Sequence, residues 1–266
     1  MSSTEKPILL CADSQLLFWQ TGGVPFLQSA RALIENASPK AAYVGASNDD
    51  RPEFYTIFLA AMESVGITDC RMIPSALSAE DEAFVREADL ILLAGGDPLK
   101  GWRTFEKNGL RESIAERYLA GAVLVGVSAG AMQLGLYAWA EGGSEGGELA
   151  GTFGFLPYVI GAHEERDGWR RLRAALLRTR VGLTALGIPA GGGAIFHADH
   201  SVEPVRKSLR EFRLENDQLE VNVLYPPGDD AQVVDDRDPP DTRLPVFDPN
   251  DPPRARQALG APTTSS

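Results

Sequence analysis

Histidine, cysteine, long apolar runs and surplus positive charge are all scarce in this sequence, and each scarcity removes a class of function. Three histidines stand among 266 residues, so any chemistry needing an imidazole must draw on His163, His197 or His200. Two cysteines, Cys11 and Cys70, exclude a disulfide framework, and they lie far apart without metal-ligand spacing. Both fall in expected strands, where a free cysteine is ordinarily a buried thiol. Nothing around Cys11 would lower its pKa as a catalytic thiol requires. No stretch approaches the roughly 18 apolar residues of a membrane span. The opening MSSTEKPILLCAD has no basic region ahead of a long apolar run, so no signal peptide and a cytoplasmic location are expected. Basic residues number 25 against 37 acidic ones, a net charge of −12. Nucleic acid and anionic membrane surfaces repel such a chain, and neither is an expected partner.

What is present is a rhythm of short apolar runs and amphipathic segments. Pro7–Cys11, Ala41–Ala46, Cys70–Ile73, Leu90–Ala94 and Val123–Val127 read as strands. Val24–Ile34, Glu53–Ser64, Ala79–Arg86 and Leu110–Leu119 read as helices between them. The strand runs are continuously apolar rather than alternating, which suits strands buried on both faces of a parallel sheet. The expected fold is therefore α/β, a doubly wound and mostly parallel sheet flanked by helices. Ligands of such sheets bind beyond the carboxyl ends of the strands. After a glycine-rich acidic loop at Glu141–Gly151, further strands are expected at Tyr158–Ala162, Leu186–Ile188 and Ala194–Phe196. A helix is expected at Asp167–Arg180, and a late hairpin or edge strands at Glu211–Leu214 and Leu219–Leu224. A single α/β hydrolytic domain would span residues 1–227. Residues 228–266 are rich in Pro and Asp and poor in large apolar side chains. They cannot bury enough to order themselves alone and read as a disordered tail, with Val246 and Phe247 as its anchors if it docks.

The central motif is Gly126-Val127-Ser128-Ala129-Gly130, a G-x-S-x-G between an apolar strand and the helix formers Ala131–Leu134. This is the context of a nucleophile elbow, in which a sharp turn presents the serine at a helix N-terminus. The backbone N–H of Ala129 would then point at a developing oxyanion. A second glycine turn, Ala94-Gly95-Gly96-Asp97-Pro98, ends the fourth strand. It reads equally as a second oxyanion donor or as a plain βα turn in which Asp97 caps the next helix. A serine nucleophile needs a base. His163, at the end of the strand Tyr158–Ala162 and 35 residues past Ser128, is the best placed of the three histidines.

Together, YVGASNDDRPEFY (43–55), ILLAGGDP (91–98), GVSAGAMQLG (126–135), GFLPYVIGAHEERDGWRRL (154–172) and LGIPAGGGAIF (186–196) resemble peptidase family S51. That family includes aspartyl dipeptidase (peptidase E) and cyanophycinase. The resemblance implies a fold similar to class I glutamine amidotransferases, with no metal and no organic cofactor. It makes Ser128 the nucleophile and His163 the general base, with Gly96 and Ala129 as oxyanion donors. Asp97, Arg166 and Arg171 are the candidate substrate-binding residues; Arg166 is offset by one position from the family's arginine. Read as residues alone, Arg166, Arg170 and Arg171 are equally a solvated helix face.

One position departs from the family. Its third triad member is a glutamate in a G-I-x-E segment, and here Gly187-Ile188-Pro189 is followed by Ala190. Another carboxylate would have to serve, with Glu164, Glu165, Asp199, Glu203 or the Glu141/Glu145/Glu148 loop as candidates. Otherwise the site works as a Ser–His dyad, or the protein is a binder that kept the fold. The loop at Asp13-Ser14-Gln15 also differs from the glycine-rich first loop of cyanophycinase. The expected function is hydrolysis of a small peptide or isopeptide bond, with a homodimer as an open possibility for assembly. An esterase of the α/β-hydrolase type shares the elbow, but it carries its histidine last and an H-G-G turn that is missing here.

Overall fold

In the computed structural model, residues 6–140, 147–179, 182–215 and 218–227 are described. Five short runs form the parallel part of a seven-stranded sheet. Its order is Val202–Val205, Gly193–Phe196, Ile8–Cys11, Val123–Val127, Leu90–Leu93, Lys40–Val44 and Asp69–Ile73. The five strands from Ile8–Cys11 to Asp69–Ile73 are parallel. The hairpin Gly193–Phe196/Val202–Val205 joins them antiparallel on one side.

Successive side chains on a strand point to opposite faces, and here both faces are covered. Ile8, Leu10, Ile91, Leu93 and Leu124 pack with Val85, Trp102, Phe105, Ile114 and Tyr118 from the helices Ala79–Glu87, Pro98–Asn108 and Leu110–Leu119. Leu9, Cys11, Leu90, Leu92 and Val125 pack with Phe26 and with Ala30, Phe58 and Met62 from the helices Gln28–Ala32 and Pro52–Glu63. The central strands Ile8–Cys11, Leu90–Leu93 and Val123–Val127 are therefore buried at every position. The fold is the helix-flanked, mostly parallel sheet expected from that pattern.

The later strands build a sheet of their own. Tyr158–Ala162 pairs parallel with Thr184–Ile188, and Leu209–Glu215 and Gln218–Leu224 follow antiparallel. The expected hairpin is thus present, but it extends this second sheet instead of the main one. The helix Arg170–Arg178 packs on the second sheet through two glycines. A Cβ at Gly161 would lie 2.9 Å from Leu172, and one at Gly187 would lie 2.7 Å from the Trp169 ring. The helix expected at Asp167–Arg180 begins later, because Gly168 and Trp169 both take positive φ.

Two other segments differ from expectation. Val24–Ile34 is helical only over Gln28–Ala32. Val24–Pro25 instead pairs with Gln20–Thr21 around Gly22-Gly23, whose positive φ values suit a tight hairpin turn. The helix Pro98–Asn108 precedes the one read from Leu110 onward. It carries ordinary punctuation, with Asp97 as N-cap, Pro98 in the first turn and Gly109 at φ 79° after its end. Two short strands, Tyr137–Trp139 and Leu149–Gly151, flank the glycine-rich loop. Glu141 and Glu145 of that loop, and the tail 228–266 with Val246 and Phe247, lie outside the described residues. Among the described residues no helix is long and apolar enough to cross a membrane.

Candidate active site

The strand Val123–Val127 ends at Ser128, which turns the chain into the helix Ala129–Leu134. Ser128 has φ 48° and ψ −105°, a combination that hard-sphere contacts nearly forbid to a residue with a Cβ. Such strain costs on the order of 1–3 kcal/mol and persists only where its surroundings over-determine it. They do so here. The Ser128 N–H donates to the Cys11 carbonyl at 2.9 Å, and its own carbonyl accepts Met132 N–H at 3.1 Å. The motif glycines are sterically required: a Cβ at Gly126 would stand 2.7 Å from Ala131, and one at Gly130 would stand 2.1 Å from the Leu93 carbonyl oxygen.

The Gly95-Gly96 turn lies against this elbow. A Cβ on Gly95 would come within 3.4 Å of Ser128 Cβ. Gly96 has φ 127°, and a Cβ there would sit 2.1 Å from the Ser47 carbonyl oxygen. The same oxygen accepts Asp97 N–H at 2.8 Å and so fixes the turn. The N–H groups of Gly96 and Ala129 donate to no other group among the described residues.

His163 follows the last residue of Tyr158–Ala162 and takes φ 47°. Its N–H donates to the Ile188 carbonyl on the neighbouring strand at 2.9 Å. Its Nε2 lies 2.8 Å from Ser128 Oγ. A narrow cavity of about 20 Å³, little more than one water needs, sits on this pair. Gly96, Pro98, Met132, Trp139, Glu164 and Arg171 help to line it. A wider depression of about 400 Å³ runs along the next helix past Asp97, Lys100 and Arg103. It includes neither Ser128 nor His163, so the small cavity is the one with the reactive groups.

Glu164 is buried beside His163. Its Oε1 pairs with Arg171 Nε at 3.3 Å and its Oε2 accepts Leu172 N–H at 3.2 Å. Burial holds its carboxyl above the usual carboxylate range, and Arg171, the first of the opposing influences, pulls it partly back. Arg171 thus lines the cavity as half of an ion pair. Arg166 is exposed on the 3-10 turn Glu165–Asp167 and is not among the cavity residues. Asp97 serves as a cap, its Oδ1 accepting Lys100 N–H at 3.0 Å, and it borders the wider depression instead of the small cavity. Cys11 lies buried under the elbow, and burial pushes its thiol far up, opposite to what a thiolate nucleophile needs. No carboxylate among the described residues hydrogen-bonds His163. None of their His, Cys, Asp and Glu side chains gather as a group of three or more able to hold a metal ion.

Sequence reasoning passed over Gln133, Met132 and Trp139. Met132 and Gln133 read only as helix formers after the elbow, and no local signal set Trp139 apart.

The model of Peptidase family S51 matches residues 24–164, more than half of the chain and a span holding both Ser128 and His163. The chain belongs to peptidase family S51. Membership supports peptidase activity. A peptidase from an acI-B1 Actinobacterium superposes with a TM-score of 0.62 at 20% identity, covering 84% of this chain and 96% of that one. A candidate peptidase E protein from Listeria monocytogenes EGD-e superposes at 0.56 and 14% identity, covering 77% and 100%. At these identities the likeness is one of fold. No curated protein matches the chain. Within the S51 family frame, Ala190 stands at the expected place of the glutamate. Its N–H donates to Glu165 Oε1 at 3.1 Å.

Proposed function

We propose that this S51 family member is a serine peptidase that cleaves a small peptide or isopeptide bond through an acyl-enzyme. The observation that carries this reading is the 2.8 Å contact between Ser128 Oγ, on its strained elbow, and His163 Nε2. Ser128 Oγ attacks the carbonyl carbon while its proton passes to Nε2. The N–H groups of Gly96 and Ala129 hold the oxyanion, a contribution of about 10²–10³ in rate per donor. The C–N bond then breaks, and the protonated imidazole gives its proton to the leaving amine. Water, deprotonated by the same nitrogen, cleaves the ester and restores Ser128. The narrow cavity favours short substrates or chain ends.

A second reading is a binder with an impaired site, favoured by Ala190 and by the lack of a described carboxylate on His163. Intact-mass detection of labelling by a fluorophosphonate separates the two. Labelling of wild type, with none in Ser128→Ala and little in His163→Ala, supports the peptidase. Wild type that stays unlabelled by both this probe and a smaller sulfonyl fluoride supports the binder.

A further inference from the structure

With Nε2 turned to Ser128, the proton of neutral His163 belongs on Nδ1, and an acceptor there would hold the ring and stabilise its charged form. Most of the carboxylates that could serve are committed elsewhere. Glu164 is taken by Arg171 and Leu172 N–H. Asp13 accepts from Gln15 N–H and, at 2.6 Å, from Gly191 N–H. Glu148 pairs with Arg103, Asp199 with Ser201, and Glu203 with His197.

Glu165 is different. Its Oε1 accepts Ala190 N–H at 3.1 Å, while its Oε2 is buried with no partner. Leaving a buried charge-bearing atom without a partner is costly, and native proteins rarely keep one without a use. Asp50 carries the other buried, unpartnered carboxylate oxygen among the described residues. It lies on the loop after Lys40–Val44, with its second oxygen on Ser75 N–H. Glu165 lies two residues from His163. Both dock on one short segment, His163 through the Ile188 carbonyl and Glu165 through the Ala190 N–H. Its carboxylate thus sits at the backbone of the residue whose own side chain is only a methyl group.

We propose that Glu165 is the positioning residue for His163, its free Oε2 accepting the Nδ1–H as the base gains its proton. The carboxylate absent at position 190 is replaced from the histidine's own loop. This inference rests on Ser128 and His163 as nucleophile and base. Asp13, and Arg206 on the Gly191 carbonyl at 3.2 Å, face the same segment and remain in every variant.

The experiment compares the full-length chain with Glu165→Gln and Glu165→Asp in two readouts. One is the fluorophosphonate labelling rate; the other is the tautomer of His163 in the free protein, read from ring ¹⁵N resonances assigned by their loss in His163→Ala. Gln keeps an acceptor for Ala190 N–H, so melting by circular dichroism should match wild type. We expect Glu165→Gln to slow labelling by roughly 10⁴-fold, the loss seen when a triad acid is removed. His163 should also move from the Nδ1–H toward the Nε2–H tautomer, with partial recovery of both readouts in Glu165→Asp. An unchanged tautomer, or a rate loss no larger than the loss of folded protein, would overturn the inference. A tautomer shift on Glu165→Gln, in a protein whose wild type never labels, would support the Glu165–His163 pairing while removing the peptidase reading.

Discussion

Gln133 reaches from the helix behind the elbow to Ser47, donating from Nε2 to Ser47 Oγ at 3.1 Å and to the Pro98 carbonyl at 2.8 Å. It is completely buried. One side chain therefore joins the loops that follow three neighbouring strands and braces the Gly96 turn against Ser128. Gln133→Met keeps the length but leaves two acceptors without a donor. We expect a loss of about 1–3 kcal/mol in urea unfolding, with a labelling rate that falls further than the folded fraction does.

Two glycines at the elbow and its neighbouring turn should fail in different ways. Gly130→Ala drives a Cβ into the Leu93 carbonyl inside the packed layer. Overpacking of this kind costs about 1–3 kcal/mol or more, read as a lower melting temperature. Gly96→Ala acts at the surface of the site, at φ 127° and against the Ser47 carbonyl. It should displace one oxyanion donor and slow labelling by about 10²–10³-fold, with a smaller effect on melting.

Glu164 gives a pH signature of stability. Burial raises its pKa above the ordinary 4.5, so the folded protein keeps a proton that the unfolded chain releases. Its contribution is full below that ordinary value and is lost as pH rises through the folded value. The stability of wild type relative to Glu164→Gln should therefore fall as pH rises from about 4 to 7, in urea midpoints measured across that range. A relative stability that rises instead would mean that the Arg171 ion pair outweighs burial.

The thiols should be nearly silent in the native state. Burial pushes Cys11 far up and holds Cys70 at about 11. At pH 8 a disulfide reagent should modify Cys70 on the order of 10² times more slowly than an exposed thiol. Cys11 should react only once urea unfolds the chain. Fast native reaction at Cys11 would show that the strand Ile8–Cys11 opens readily.

Sequence alone determined the parts of this protein that depend on neighbours along the chain. Continuous apolar runs such as Val123–Val127 specify strands buried on both faces, because a one-sided strand would alternate. The spacing of Gly126, Ser128 and Gly130 specifies the elbow, because only glycine lets the turn approach Leu93 and Ala131 so closely. Where a local signal was not followed through, as at the helix Pro98–Asn108 after the Asp97 cap and at the Gly22-Gly23 turn, the information was still in the chain. The tertiary structure decided the rest. Whether Tyr158–Ala162 extends the main sheet or founds a second one depends on pairing partners distant in sequence, and so does the arrival of His163 beside Ser128. Arg171 and Arg166 look alike in a string of letters; helix packing through Gly161 and Gly187 sends one to the cavity, and the 3-10 turn leaves the other in solvent. Ala190 reads as a missing carboxylate, yet only the folded loop places Glu165 on its N–H. Local patterns encode burial and turns; convergence of side chains is encoded in how whole layers pack, and no short segment contains that information.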